Sequence, residues 1–253
     1  MKTRIILCGA CGKMGANVLS LLENDEQATA VCGVDLFPKE IGIPVYKSFE
    51  EIKETADVII DFSSAENVEA RLAYAKAHNL GIVLASTGFT PDDLSLIDEY
   101  AKDVAIFKTA NLSLGVNLMQ ALVKAAATVL GDNFDVEIIE KHHNLKKDAP
   151  SGTALMLADS INEAFDNKKR YVDGRSGIVG ARDKAEIGMH AVRGGTIVGE
   201  HEVMFAGDDE IITISHSARS KRVFATGAIR AAKFLHGKVA GRYEMKDLLA
   251  EEN

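Results

Sequence analysis

The chain has 253 residues, of which 47% are hydrophobic and 26% charged, and its formal net charge is −8. That composition is ordinary for a folded protein with one large domain or two modest domains. The negative charge disfavours extended binding to nucleic acid or to anionic membrane surfaces, so an anionic substrate would need a local basic pocket.

The first third of the chain alternates short apolar runs with segments of helical spacing, which predicts a parallel, doubly wound sheet. The predicted strands cover residues 4–8, 28–34, 57–61, 81–85 and 104–107. Predicted helices cover residues 14–22 and 65–78, and a third begins at the cap and proline of Thr90-Pro91. In such a sheet the carboxyl ends of all strands share one edge, where ligands bind.

The pattern changes after Asn111 and predicts a second, α+β domain with a mixed or antiparallel sheet. Its predicted elements are a helix at 116–130, a strand at 135–140, a helix at 151–165, and strands at 196–205 and 210–215 within a β-rich region, 187–215. Gly207-Asp208-Asp209 between the last two strands is a hairpin signal. A helix at 223–235 and a short tail helix follow.

Neither a signal peptide nor a membrane span is expected, because the N-terminal apolar run is short and no apolar stretch of spanning length is evident. Cys8, Cys11 and Cys32 suit a reducing cytoplasm better than a disulfide framework. The C-x-x-C spacing of the first two fits a redox or metal pair, or simply a strand-end cysteine followed by a loop cysteine. Nothing nearby completes a zinc site, so no metal is predicted.

Glycines separate the first predicted strand from the first predicted helix, in Gly9-Ala10-Cys11-Gly12-Lys13-Met14-Gly15. They permit a tight turn and a close approach of the backbone to a pyrophosphate, although the spacing is not the strict G-x-G-x-x-G and a purely structural turn remains an alternative. Asp35, at the end of the second predicted strand, is placed to bind ribose hydroxyls and repel a 2′-phosphate. Leu36 follows it, so no arginine stands there to bind that phosphate, although Lys39 could reach it. The sequence therefore mildly favours NADH over NADPH.

Polar residues also follow the fourth and fifth predicted strands, at Ser86-Thr87-Gly88 and Ala110-Asn111-Leu112-Ser113. On a doubly wound sheet these positions face the nicotinamide end of the site. They are also typical turn and cap residues, so both interpretations stay open.

The segment from His142 to Thr153 carries two adjacent histidines, two lysines and a helix-start signal. Imidazole transfers protons near neutral pH, and lysines and helix N-termini attract anions. The segment therefore predicts a site that binds and protonates a small acidic molecule, whereas a basic surface loop is the structural alternative. Arg193, His190, Lys221 and Arg222 could add charge, but their convergence cannot be deduced from the sequence.

Together these segments resemble the 4-hydroxy-tetrahydrodipicolinate reductase family of lysine biosynthesis through diaminopimelate. The resemblance covers essentially the whole chain and rests on residues 9–15, 110–117, 140–153, 199–201 and 224–228. It implies reduction of (S)-4-hydroxy-2,3,4,5-tetrahydrodipicolinate, a small cyclic dicarboxylate, to tetrahydrodipicolinate with NADH or NADPH. It also implies a Rossmann-like nucleotide domain (1–112 with 222–253), a substrate and oligomerisation domain (113–221) and a cytoplasmic homotetramer.

The resemblance also implies roles for individual residues. His142 and Lys146 would be the proton donors, without a decision on which protonates carbon, and His143, Gly152 and Thr153 would bind the substrate. The dinucleotide would contact Gly9, Ala10, Cys11, Gly12, Lys13, Met14, Asp35, Ala85, Ser86, Thr87, Thr109, Ala110, Asn111 and Leu112. Two departures from the family pattern, Leu36 and Lys221, leave the cofactor preference and one substrate contact open.

Two other functions compete with this one. Another two-domain dehydrogenase, acting on an amino acid or a sugar, would share the nucleotide domain. A non-enzymatic dinucleotide sensor would also share it, but would have no need of the histidine and lysine cluster.

Overall fold

The computed structural model of the protein describes residues 1–251, and its helices and strands fall into two units. The first unit comprises residues 1–113 and the chain from residue 221 onwards, and the second comprises residues 114–220. The strands are β1 (Thr3–Cys8), β2 (Ala28–Val34), β3 (Val45–Tyr46), β4 (Val58–Asp61), β5 (Gly81–Leu84), β6 (Ala105–Lys108), β7 (Asp135–His142), β8 (Arg170–Asp173), β9 (Glu186–Arg193), β10 (Gly199–Ala206), β11 (Ile211–Ala218) and β12 (Gly241–Tyr243). The helices are α1 (Lys13–Leu22), α2 (Val68–Ala77), α3 (Pro91–Tyr100), α4 (Leu114–Leu130), α5 (Gly152–Glu163), α6 (Arg222–Leu235) and α7 (Met245–Glu251).

The first unit is built on a sheet with strand order β12-β6-β5-β4-β1-β2-β3, in which every neighbouring pair is parallel. Strands β4 and β5 are buried along their whole length, as expected for central strands of a sheet covered on both faces. The predicted Rossmann-like, doubly wound sheet is therefore confirmed. The sequence pattern missed only the edge strands β3 and β12, which are too short to produce a recognisable apolar run.

Helix α2 begins at Val68, later than the predicted residue 65. The reason is the loop before it, residues 62–67, which ends on Asn67 with φ of 55°, a left-handed conformation that ends a helix rather than extending it. Arg71 fixes this loop, because its two Nη atoms donate to loop carbonyl groups at 2.6 and 3.0 Å. Its Nε atom lies 2.8 Å from Oδ2 of the fully buried Asp61, which ends β4.

The second unit is a mixed sheet of order β11-β10-β7-β9-β8 packed against α4 and α5. Strand β10 pairs antiparallel with β7 and β11, whereas β9 pairs parallel with β7 and β8. The predicted hairpin is confirmed, since the Gly207 amide donates to the Glu210 carbonyl between β10 and β11. Alternate residues of β7 share its buried face: Val136, Ile138, Glu140 and His142.

Helix α4 contradicts the expectation that no segment is long and apolar enough to cross a membrane. Residues 114–133 meet that criterion by length and mean hydropathy. One face of α4, carrying Met119, Val123 and Ala127, packs into the core of the second unit beside α5. A core helix of a folded unit passes the same test, so this segment is weak evidence for a membrane protein.

Candidate functional site

The glycine-rich turn lies between β1 and α1, as predicted, and its backbone is tightly packed. Gly9 has φ of +73°, and a Cβ atom there would lie 2.9 Å from the Phe62 carbonyl oxygen. A Cβ atom on Gly15 would lie 2.3 Å from the Ala10 carbonyl oxygen. Glycine is therefore required at both positions, and the backbone at the start of α1 stays open to a close-lying phosphate group.

Asp35 follows β2 and connects this turn to the next strand. Its Oδ2 accepts from the Cys11 amide at 2.9 Å, and its Oδ1 accepts from the Phe37 amide at 3.0 Å. The carboxylate thus fixes the turn and lines a cavity of about 480 Å³ at the carboxyl edge of the sheet. That cavity is also lined by Leu36, Phe37, Lys47, Glu50 and Glu66.

A second cavity of the first unit, of about 430 Å³, lies where β4, β5 and β6 end. Of the predicted cofactor residues it is lined by Met14, Ala85, Ser86, Thr87, Thr109, Ala110, Asn111 and Leu112. Ser86 Oγ is buried there without a hydrogen-bond partner among residues 1–251, so it is available to bond to a group in this cavity. Together with the glycine turn, this orphaned hydroxyl shows that the residues present fit a dinucleotide.

Sequence reasoning missed two aromatic residues of that second cavity, Phe62 and Phe224, and left the role of Lys221 open. Phe62 directly follows β4, so its position at a strand end was a usable signal. Phe224 and Lys221 lie at the start of α6, more than a hundred residues along the chain from β6. No local pattern could have placed them in this cavity.

In the second unit, the segment 142–153 links β7 to α5. His142 is the last residue of β7 and is 9% exposed, and Lys146 pairs with Asp148 at 2.8 Å in the connecting loop. Ser151 caps α5 by accepting from the Ala154 amide at 3.2 Å, so the helix begins at Gly152 and Thr153. The Nδ1 atom of His143 is buried and has no hydrogen-bond partner within the described chain. The structure therefore places all five predicted catalytic and substrate-binding residues on one strand-loop-helix segment.

A buried carboxylate that sequence reasoning did not select lies at the centre of this segment. Glu140 is 1% exposed. Its carboxylate accepts hydrogen bonds from His142 Nδ1 at 2.6 Å and from the Ser151 amide at 3.0 Å. It also accepts from both Nη atoms of Arg193, at 2.8 and 2.7 Å. Burial acts to raise the pKa of Glu140, but the hydrogen bonds from Arg193 and His142 outweigh it and hold the pKa below its ordinary value. The period-two alternation of β7, which puts Glu140 and His142 on one face, was the available signal.

His201 of β10 lies beside His142 and Ser151. Its ring meets that of His142 edge to face at 5.3 Å, and its Nε2 lies 3.1 Å from Ser151 Oγ. Burial, with a smaller effect from His142, lowers the pKa of His201 to about 4, so this ring is neutral near pH 7.

Metal-binding geometry is not part of this site: within residues 1–251 no group of three or more His, Cys, Asp or Glu side chains is arranged to hold an ion. Cys8, Cys11 and Cys32 are free thiols, and burial raises the pKa of Cys8 well above its ordinary value. A buried thiol of this kind is a poor nucleophile and metal ligand.

Two family models account for nearly all of the chain. The model described as dihydrodipicolinate reductase, N-terminus, matches residues 3–112, and the model described as dihydrodipicolinate reductase, C-terminus, matches residues 115–249. The chain belongs to the dihydrodipicolinate reductase family. It is thus an NAD(P)H-dependent oxidoreductase, and the family resemblance drawn from the sequence motifs is confirmed.

Named relatives of this reductase family match over their full length. A 4-hydroxy-tetrahydrodipicolinate reductase of Caldanaerobacter subterraneus subsp. tengcongensis is 50% identical over 98% of this chain and 99% of its own. The protein of the same name from Clostridium novyi is 44% identical over 99% of this chain and 100% of its own.

Solved structures agree with this assignment. A dipicolinate-bound dihydrodipicolinate reductase from Paenisporosarcina sp. TG-14 is 25% identical, with a TM-score of 0.78 over 96% of this chain and 98% of its own. An engineered D-amino acid dehydrogenase bound to NADP⁺ is 15% identical, with a TM-score of 0.59 over 100% of this chain and 97% of its own. The second likeness shows a shared fold alone.

Proposed function

We propose that this protein reduces (S)-4-hydroxy-2,3,4,5-tetrahydrodipicolinate to tetrahydrodipicolinate with NAD(P)H, in lysine biosynthesis through diaminopimelate. The observation that carries the proposal is the segment 140–153, which combines a carboxylate-bound imidazole with two lysines and a helix start. These groups suit the binding and protonation of a cyclic dicarboxylate. The relatives' names and the dipicolinate-bound relative support the same substrate class.

In this proposal the second unit supplies the proton donors and the groups that bind the substrate. His142 and Lys146 donate protons, and which of them protonates carbon remains to be measured. His143, whose Nδ1 lacks a partner in the described chain, and the N-terminus of α5 at Gly152 and Thr153 bind the carboxylates. Fixed dipoles and charges of this kind stabilise the negative charge that develops during reduction and orient the ring.

The first unit binds the dinucleotide in the same proposal. The turn from Gly9 to Met14 holds the pyrophosphate, and Asp35 binds the adenosine ribose. Ala85 to Thr87 and Thr109 to Leu112 hold the nicotinamide end, where Ser86 Oγ gains the partner that it lacks. A bound reduced nicotinamide supplies the hydride.

We further propose the domain division 1–112 with 222–253 and 113–221, of which residues 252 and 253 lie outside the described chain. The units of the structure divide within one residue of these limits. A homotetramer formed through the sheets of the second unit and a cytoplasmic location complete the proposal. The free cysteines support that location.

A direct assay tests the function. Freshly prepared cyclic 4-hydroxy dicarboxylate, mixed with NADH and the protein, is expected to cause a loss of nicotinamide absorbance that depends on both substrates. Turnover of an amino acid or a sugar instead would favour another dehydrogenase. Cofactor binding in calorimetry without turnover of any dicarboxylate would favour a sensor.

We propose NADH as the preferred cofactor, because the acidic side chains Asp35, Glu50 and Glu66 line the adenosine cavity. Of its two cations, Arg71 is paired with Asp61, and only Lys47 remains to face a 2′-phosphate. Lys39, considered from the sequence, is absent from the lining of this cavity.

Replacing Leu36 by arginine is expected to change this preference. Leu36 is 76% exposed and directly follows Asp35, so a guanidinium there would reach a 2′-phosphate. One charge-assisted hydrogen bond would raise the ratio of kcat/KM for NADPH over that for NADH about tenfold. Steady-state kinetics with both cofactors measures this ratio. Lys39→Arg is the control, and an equal change in both variants would contradict the proposal.

A further inference from the structure

On each of its two faces, strand β7 carries a glutamate that binds a histidine and at least one arginine. On the buried face, Glu140 binds His142 and Arg193. On the other face, Glu137 accepts from His190 Nε2 at 2.7 Å and from Arg175 and Arg182 at 2.8 to 3.1 Å. Only the Glu140 cluster contains a proposed proton donor, His142. The Glu137 cluster is therefore a control for the effect of removing a carboxylate from β7.

We propose that Glu140 is a positioning residue for the proton donor: it binds the Nδ1–H group of His142 and thereby assigns proton transfer to Nε2. This inference rests on the proposed function and deepens it. Arg193 is the counter-ion that keeps the Glu140 carboxylate charged, and Glu140 itself does not touch the substrate.

The hydrogen bond to Glu140 determines the tautomer of His142. An ionised carboxylate only accepts hydrogen bonds, so His142 Nδ1, 2.6 Å away, must carry a hydrogen atom. The neutral ring then has a free lone pair on Nε2, and the protonated ring has an acidic N–H there. A Cβ atom on Gly199 would lie 3.0 Å from Nε2, so glycine at that position leaves space around the nitrogen.

The same carboxylate also anchors the substrate-binding helix. While Glu140 Oε2 accepts from His142, Oε1 accepts from the amide of Ser151, the N-cap of α5. One buried group therefore fixes the proton donor and the start of the anion-binding helix with respect to each other. That coupling is the kind of support that keeps catalytic groups within a fraction of an ångström of a productive geometry.

Charged and titratable groups reach this cluster from each neighbouring element. They are Arg193 on β9, His201 on β10, His216 on β11, and Lys146 and Asp148 in the loop. His201 is neutral near pH 7, so Glu140 is the negative charge in direct contact with His142.

The test compares Glu140→Gln with Glu137→Gln. In Glu140→Gln, kcat is expected to fall about 10- to 100-fold, a part of the roughly 10²- to 10⁴-fold that a general acid supplies. The KM for NADH is expected to stay constant, so the loss falls on kcat. Glu137→Gln removes a carboxylate of the same strand that also binds a histidine and arginines, and it is expected to leave kcat unchanged. Equal effects of the two substitutions would overturn the proposal.

A measurement on the unmodified protein covers the case in which Glu140→Gln fails to fold. Nitrogen-15 NMR of the histidine rings is expected to show His142 in the Nδ1–H tautomer above neutral pH, with His142→Gln identifying its signals. The Nε2–H tautomer would overturn the proposal. Because this spectrum needs no turnover, it separates a failure of this inference from a failure of the proposed reaction, which the substrate assay detects.

Discussion

Replacing His142 by glutamine is expected to lower kcat about 10²- to 10⁴-fold while leaving the affinity for NADH unchanged. Glutamine keeps a hydrogen-bonding group near Glu140 but cannot deliver a proton from a neutral amide. The predicted cofactor residues all lie in the first unit, whereas His142 lies in the second, and the expected result is therefore a loss in kcat rather than in cofactor affinity. Stopped-flow or steady-state kinetics gives kcat, and fluorescence titration gives the dissociation constant for NADH.

His190→Gln is the matched control, because His190 is the other glutamate-bound histidine of this sheet and lies outside the segment 142–153. Unchanged turnover in His142→Gln would exclude the acid role. Running Lys146→Met beside it compares the contributions of the two groups to kcat. Lys146 is also bound to Asp148, so its variant should alter the KM for the dicarboxylate as well.

Replacing Arg71 by methionine is expected to lower the free energy of unfolding by about 3–5 kcal/mol, the usual cost of removing one partner of a buried ion pair. Asp61 is 0% exposed, and burial raises the pKa of its carboxyl, so the charged form depends on Arg71. The loop 62–67 would also lose its bonds to the guanidinium. Because this loop lines both cavities of the first unit, the affinity for NADH should fall too.

Lys76→Met is the control on the same helix. Lys76 and Asp103 form a pair at 2.6 Å whose side chains are about half exposed, and such pairs contribute at most about 1 kcal/mol. Urea unfolding followed by circular dichroism compares the two variants. A similar loss of stability in both would mean that the Asp61–Arg71 pair has no special role, whereas a second substitution, Asp61→Asn, should recover part of the loss in Arg71→Met.

The sequence predicted those features that depend on local patterns. The parallel sheet follows from short apolar runs that alternate with helical spacing, and the β10–β11 hairpin follows from Gly207-Asp208-Asp209. The segment from His142 to Thr153 could be found because its predicted roles lie within one contiguous stretch. Its individual roles stay predictions that the kinetic variants will test.

The sequence could not predict the contacts that depend on strand pairing. Arg193 reaches Glu140 because β9 runs parallel to β7, which puts Arg193 opposite His142 in the register. His201 reaches the same cluster because it lies opposite Glu140 in the antiparallel pairing of β10 with β7. The first register joins residues 51 positions apart along the chain, and the second joins residues 61 positions apart. The late start of α2 has a similar origin, since Arg71 stabilises a loop conformation that competes with one more helical turn.

The division of the first unit between two stretches of chain bears on its synthesis. Strand β12, from the second stretch, pairs with β6 from the first. Leu235 of α6 packs against Gly81 of β5, where a Cβ atom would lie 3.3–3.5 Å from the leucine side chain. The side chains of Thr3 and His236 form a hydrogen bond of 3.0 Å. While the ribosome is still making residues 114–220, the edge of β6 that later pairs with β12 therefore has no partner strand. The face of β5 that later packs against α6 is also exposed. Such an edge is open to wrong pairing with other nascent chains. The first unit thus reaches its native form only after α6 and β12 have been made, when the inserted unit has already had time to fold.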